Sequence, residues 1–291
     1  MGKITFYVCE VNCILNEKIE NIAQYSVLMS VYENEKAQNL KDSIQSIYSQ
    51  TLLPYEVILV LDGKLTDELY NAVDFLKNKY SNLKTVALDE NIGLWHALNV
   101  GLAHCECEIV ARMDSDDIAV NTRIEEQIKL LKAQNADIVS SPVMEFKEKT
   151  GDTNNIKDLP KTHNEILNYA KKRNPFNHPA VIFKKSAVIN AGGYQNFPFF
   201  EDYELFVRML KNGAVSANTQ KPLLYMRVGE GMYKRRGGKE YTRHLYNFLK
   251  RIYSLGFISK SRMIKSLIPR VAVSLMPSGL RKMVYNKFLR K

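Results

Sequence analysis

The 291-residue sequence has only four cysteines, nine prolines, fourteen glycines and a single tryptophan. Cys9, Cys13, Cys105 and Cys107 fall into two pairs at unequal spacing, too few for a disulfide framework and too sparse for a structural zinc site. They read as free thiols in a reducing compartment. So little Gly and Pro excludes a collagen-like or Pro/Gly-rich disordered chain. No run approaches the ~18 apolar residues that a membrane span needs. Glu10 and Asn12 interrupt the one early apolar stretch, so no secretory signal is expected. The expected location is the cytoplasm, or the cytoplasmic face of the cell membrane.

A further absence is local. Tyr241–Lys291 contains 12 Lys and Arg and no Asp or Glu; the remainder holds 29 bases against 31 acids. The formal charge of +10 therefore belongs to the C-terminal segment. A near-neutral body with one basic end argues against a nucleic-acid binder whose bases spread over the surface.

What is present is a regular alternation of apolar patterns in a chain that is 45% hydrophobic. Residues 1–24 have weak periodicity, as an arm or an extra strand would. Ser26–Val31, Glu56–Leu61, Leu83–Leu88 and Glu108–Met113 read as buried strands. Leu40, Ile44, Ile47 and Tyr48 fall at helical spacing, and Leu65–Tyr80, Leu94–His104 and Thr122–Gln134 read as helices. This alternation predicts an α/β fold with a mostly parallel central sheet flanked by helices. Asp137–Phe146 and Pro179–Phe183 read as further strands, Glu201–Asn212 as a helix and Pro222–Arg227 as a last strand. Ligands in such folds bind outside the carboxyl ends of the strands. Three of the first four strands end on or beside Asp62, Asp89 and Asp114.

Met113-Asp114-Ser115-Asp116-Asp117 follows a buried strand directly. In extended backbone Asp114 and Asp116 point the same way, so both can face a hard divalent cation such as Mg²⁺ or Mn²⁺. The competing reading is that Asp116 or Asp117 caps the following helix. Glu201-Asp202 opens another helix, where acids also suit the helix dipole.

Four groups of residues in this order resemble the nucleotide-sugar half of family 2 glycosyltransferases. They are Ser26–Tyr32, Asp62-Gly63, Asn91-Ile92-Gly93 with Ala97-Leu98-Asn99-Val100-Gly101, and Asp114-Ser115-Asp116-Asp117. A narrower likeness is to the bacterial branch that builds O-antigen, capsule and exopolysaccharide repeat units. It rests on Asn177-His178-Pro179-Ala180, Gly192-Gly193-Tyr194, Phe200-Glu201-Asp202-Tyr203 and Arg235-Arg236-Gly237-Gly238. Two departures stand out: Ser30-Val31-Tyr32-Glu33 where the family has Pro-x-Tyr-Asn, and Leu61-Asp62-Gly63-Lys64 where it has Asp-Asp-Gly-Ser.

The resemblance implies the GT-A fold over residues 25–227 and inverting, metal-dependent transfer of galactose or glucose from a UDP-sugar. The implied acceptor is a sugar on undecaprenyl diphosphate. Ser30, Tyr32, Asp62, Asn91, Gly93 and Asp114 would bind the donor nucleotide, with Tyr32 beside the base and Asp62 accepting from uracil N3–H. Arg235 and Arg236 would close on the diphosphate, or form a solvated loop. Asp114 and Asp116 would hold Mn²⁺ or Mg²⁺, which acts as a Lewis acid for the leaving group. His178 is a further metal ligand, an acceptor contact or a structural histidine. Asp202 would be the catalytic base and Glu201 a positioning group.

Residues 228–291 read as a basic loop and tail. After Pro277, Leu280, Met283, Val284 and Phe288 share one helical face, while Met263–Met276 is more apolar and flanked by Lys260, Lys265 and Arg270. Such a tail suits an anionic membrane surface, or a helix packed on the core with a solvated basic face. Two other functions compete: a nucleic-acid or membrane scaffold living off the tail, and a sugar-nucleotide pyrophosphorylase. The latter wants a Gly-rich loop after the first strand, and Ser30–Lys36 has no glycine.

Overall fold

The computed structural model describes residues 24–229, 237–277 and 279. The expected N-terminal arm, Arg235 and Arg236, and the amphipathic face after Pro277 lie outside the described residues. The first half follows the expected rhythm: β1 (Tyr25–Val31), α1 (Ala37–Tyr48), β2 (Glu56–Leu61), α2 (Asp67–Lys79), β3 (Leu83–Ala87), α3 (Leu94–His104) and β4 (Ile109–Arg112). Then come β5 (Ile118–Ala119), α4 (Arg123–Ala133), β6 (Ile138–Ser140), β7 (Val143–Phe146), β8 (Ile156–Lys157) and α5 (His163–Ala170). The chain continues through β9 (Ile182–Lys184), α6 (Lys185–Asn190), α7 (Glu201–Lys211), β10 (Ser216–Asn218), β11 (Leu224–Arg227), α8 (Gly238–Ser254) and α9 (Lys260–Ser274).

Seven strands form the main sheet in the order β10-β6-β9-β4-β1-β2-β3. All its pairings are parallel except those of β9, which runs antiparallel to both β4 and β6. Strand periodicity explains how the sheet is buried on both faces. Tyr25, Val27, Met29 and Val31 join the cluster with α1, α2 and α4, while Leu28 joins the cluster with α3 and α7. Gly101 lets α3 approach this second face. A Cβ there would stand 2.4 Å from Leu28 Cδ1 and 2.6 Å from Val60 Cγ2, so only glycine fits.

The segment 137–146 is not one strand. It breaks at Ser141-Pro142, because β6 stays in the main sheet while β7 joins a four-stranded sheet ordered β5-β11-β7-β8. Proline lacks the N–H that a continuing ladder requires. Pro179–Phe183 likewise divides into a 3₁₀ turn (His178–Ala180) and β9.

Within the basic C-terminal segment, the described helices α8 and α9 fold back. Leu245, Phe248, Leu249 and Ile252 of α8 bury against Phe200, Tyr203 and Val207, with Met263, Leu267 and Val271 of α9 alongside. Phe248 stacks on Phe200 with centroids 4.7 Å apart.

Candidate active site

The parallel register pairs Val31 with Leu61 and Leu28 with Arg112. Residues 32, 62 and 114 therefore leave neighbouring strands at one edge of the sheet. Strand order reverses at β1, between β2 and β4, which is where an open α/β sheet forms its crevice.

On one side of the crevice Tyr32 is 40% exposed, Ser30 is half-buried and Asn91 is exposed. Asp62 is buried, accepts from the Ile92 N–H, and leaves Oδ1 without a partner. Burial raises its pKa, opposed by the charge of His96. Gly93 adopts φ +111° as it opens α3, a conformation that favours glycine.

On the other side the carboxylate oxygens of Asp114, Asp116 and Asp117 lie within 4.8 Å of one another. Ser115 and Asp116 form a turn, so these acids meet through a bend rather than through strand alternation. Capping plays no part here, since α4 begins only at Arg123 and its N-cap Thr122 makes no side-chain capping bond. Asp117 is buried instead, accepting from the Arg227 N–H at 2.8 Å with Oδ2 unpaired. Burial, then the charge of Asp114, lifts the Asp116 pKa to about 7 and raises that of Asp117 well above the usual range. Three crowded oxygen ligands with an unpaired buried oxygen form a donor set that fits a hard divalent cation.

Arg112 links this turn to the second acidic pair. It is buried, ion-pairs with Asp114, and leaves Nε and Nη1 unpaired. Its charge also acts on His178, Tyr194, Glu201 and Asp202. Sequence reasoning missed it, although an arginine in the otherwise apolar EIVARM strand was a signal. A buried guanidinium needs a dedicated anion nearby.

Glu201 and Asp202 occupy the first turn of α7. The preceding Phe199 adopts φ +70°, uncommon for a bulky residue and a mark of local strain. Asn174 Nδ2 donates to Asp202 Oδ2 at 2.7 Å, and the Tyr203 N–H donates to Oδ1 at 2.7 Å. Burial and the neighbouring Asp202 push Glu201 up to about 7. Burial also raises Asp202, while the Tyr203 N–H bond holds it back. Asn174 was not foreseen, because its role depends on a contact 28 residues away in the chain.

His178 stands apart from the three clustered acids. It is buried, with Nε2 2.9 Å from Tyr194 Oη. Burial holds its pKa well below the usual value. The backbone of Tyr194 is fixed in turn by Asn99, which accepts from its N–H at 2.9 Å and donates to its carbonyl at 2.8 Å.

The sequence profile of the family described as Glycosyl transferase family 2 matches residues 26–193. A UDP-Gal:α-D-GlcNAc-diphosphoundecaprenol β-1,3-galactosyltransferase of Escherichia coli is 39% identical over 273 residues, covering 94% of this chain and 98% of its own. The amylovoran biosynthesis glycosyltransferase AmsE of Erwinia amylovora is 36% identical, covering 90% and 98%. Among solved structures, S. aureus TarS in complex with UDP-GlcNAc superposes with TM-score 0.64 at 18% identity, over 85% of this chain and 71% of that one. The mannosyltransferase PcManGT of Pyrobaculum calidifontis, in complex with GDP-Man and Mn²⁺, gives 0.60 at 18% identity, over 91% and 75%. At such identities the two structures speak for the shared fold.

Proposed function

The chain belongs to glycosyltransferase family 2, and from that membership we propose that it moves galactose from UDP-galactose to a hydroxyl of a sugar carried on undecaprenyl diphosphate. The observation that carries this reading is the match, nearly end to end, to a relative whose name specifies that donor and that class of acceptor. The geometry supports it. Asp62 offers a buried, unpaired acceptor oxygen for uracil N3–H, with Tyr32 exposed beside it for stacking. Ser30, Asn91 and Gly93 complete the nucleotide side.

In the proposed reaction the acceptor hydroxyl oxygen attacks the anomeric carbon from the face opposite the diphosphate. Its bond to that carbon forms as the bond to the diphosphate oxygen breaks, which inverts the centre. Asp202 takes the hydroxyl proton, held in place by Asn174 and the Tyr203 N–H. Glu201 positions acceptor hydroxyls, and Arg112 balances the charge of Asp114, Glu201 and Asp202. Asp114 and Asp116, with Asp117, would hold Mn²⁺ or Mg²⁺, which supplies neutralisation of charge on the leaving diphosphate. His178 serves this arrangement by orienting Tyr194.

The test is a donor screen against a synthetic lipid-diphosphate-linked GlcNAc acceptor, with Mn²⁺ and with EDTA. Transfer from UDP-galactose that stops in EDTA is expected. Absence of transfer from every UDP-sugar would remove the donor assignment, and EDTA-resistant turnover would remove the metal.

The lipid acceptor also gives the C-terminal helices a place. No described helix is long and apolar enough to cross a membrane. Yet α9 turns Ile264 and Ile268 outward, 44% and 64% exposed, with Leu275 just beyond it at 56%. Lys260, Arg262 and Lys265 are exposed on the same helix, and it contains no acid. This combination of apolar stripe and cations suits attachment to an anionic membrane surface. Sedimentation with anionic vesicles is expected, and neutral vesicles should bind less. Failure with both would refute the attachment.

A further inference from the structure

The nucleotide side of the crevice holds three buried polar side-chain atoms for which the described residues provide no partner: Asp62 Oδ1, Trp95 Nε1 and His96 Nδ1. They belong to one small region. The Ile92 N–H donates to the Asp62 carboxylate, tying the end of β2 to the turn that opens α3, and the charge of His96 in the first turn of α3 reaches Asp62. The rings of Trp95 and His96 meet edge to face with centroids 5.6 Å apart. A Cβ built on Gly93 would stand 3.5 Å from Trp95 Cδ1 and 3.7 Å from Nε1. The N–H edge of the indole therefore lies against the turn that also supplies the Ile92 N–H.

Packing against the apolar cluster on this face of the sheet accounts for the Trp95 ring but not for the unpaired polar edges of the two side chains. The residues that anchor α3 on the sheet are Ala97, Leu98, Gly101 and Leu102, and Trp95 and His96 lie only half-buried on the helix's first turn. An indole N–H kept from both water and protein partners is costly unless a ligand pairs with it.

The chemistry of the three atoms is specific. A carboxylate accepts, an indole N–H only donates, and an imidazole Nδ1 donates in the tautomer protonated there. Together they offer one acceptor and two donors. The imide edge of uracil presents the complement, one N–H between two carbonyls. Cytosine presents a bare ring nitrogen and an amino group instead, so it would set a lone pair against the carboxylate and an N–H against a donor.

We propose that Trp95 Nε1–H and His96 Nδ1–H donate to the two carbonyls flanking the uracil N3–H that Asp62 accepts, so that three side chains read the base. This inference rests on the UDP-donor reading above and adds the residues that set its selectivity.

Trp95 is the only tryptophan in the chain, so intrinsic fluorescence of the unaltered protein reports on the site directly. Titration with UDP in the presence of Mn²⁺ should shift or quench the emission, and CDP should do so only at far higher concentration. Trp95→Phe keeps a ring and removes the N–H, and His96→Phe removes the imidazole nitrogens. By calorimetry each should weaken UDP binding about 10-fold and lower the UDP-over-CDP preference, with unfolding midpoints near that of the parent. Unchanged UDP affinity and preference in both variants would overturn the inference while leaving the donor reading intact, because UDP would still bind. Failure of the unaltered protein to bind UDP would instead overturn the donor reading, and this inference with it.

Discussion

Asp202 and Glu201 are adjacent carboxyls placed in different surroundings. Asp202 is anchored through both oxygens, by Asn174 and by the Tyr203 N–H, whereas Glu201 is pushed up to about 7 by burial and by its neighbour's charge. Asp202→Asn cannot accept the acceptor proton, so kcat should fall about 10²–10⁴-fold while UDP affinity measured by calorimetry stays near the parent value. Near-normal turnover would refute the assignment of the base. Glu201 has a thermodynamic signature. Its folded pKa lies above its ordinary value of 4.5, so the folded chain holds a proton that the unfolded chain releases. Its contribution to stability is present below about 4.5 and is lost as pH rises through about 7. Unfolding midpoints of the metal-free protein should therefore fall less steeply across that window in Glu201→Gln than in the parent. Identical slopes would place this titration elsewhere. The pair was legible in the sequence as two acids opening a helix. Asn174 and Arg112 were not, because a partner's identity depends on which distant segments meet.

At the scale of elements, α7 carries the acidic pair on its first turn and its anchor two residues later. Glu204 is fully buried, pairs with Arg208 at 2.7 Å and accepts from Arg251 Nε of α8 at 3.2 Å. Arg208 also donates to the carbonyls of Ala191 and Gly193. One carboxylate thus fastens α7 to α8 and to the glycine turn before Tyr194. Glu204→Ala would leave the buried Arg208 without its anion and should cost about 3–5 kcal/mol in urea unfolding. A loss under 1 kcal/mol would show that the network relaxes. The strand–helix rhythm through α4 was readable because β1 and β2 are buried on both faces and each helix follows its own period. Beyond Asp137 the strands shorten to two to four residues, and periodicity has too few points to register β6, β9 and β10. The antiparallel direction of β9 also escapes a sequence pattern, since a buried strand looks the same whichever way it runs.

Across the whole molecule, charge is sorted into two places. Burial, and then their mutual repulsion, raises the pKa of the acids in the crevice, and a bound divalent cation would relieve that repulsion. Mn²⁺ should raise the thermal unfolding midpoint of the parent but not that of Asp116→Asn; an equal rise in both would place the ion elsewhere. Among the described residues, the bases beyond Tyr241 instead line α8 and α9, which pack on α7 through Leu245, Phe248 and Met263. The family resemblance stated from the sequence holds in both profile and fold. By itself the sequence determined the parallel α/β core and the family. These are local properties, written in residue periodicity and in short motifs at strand ends. Only the tertiary structure decided that a turn gathers Asp114, Asp116 and Asp117, that Arg112 bridges the two acidic groups, and that His178 faces Tyr194 instead of joining the three clustered acids. Those outcomes depend on which groups share a buried space, where each must find a partner of opposite charge or a hydrogen bond.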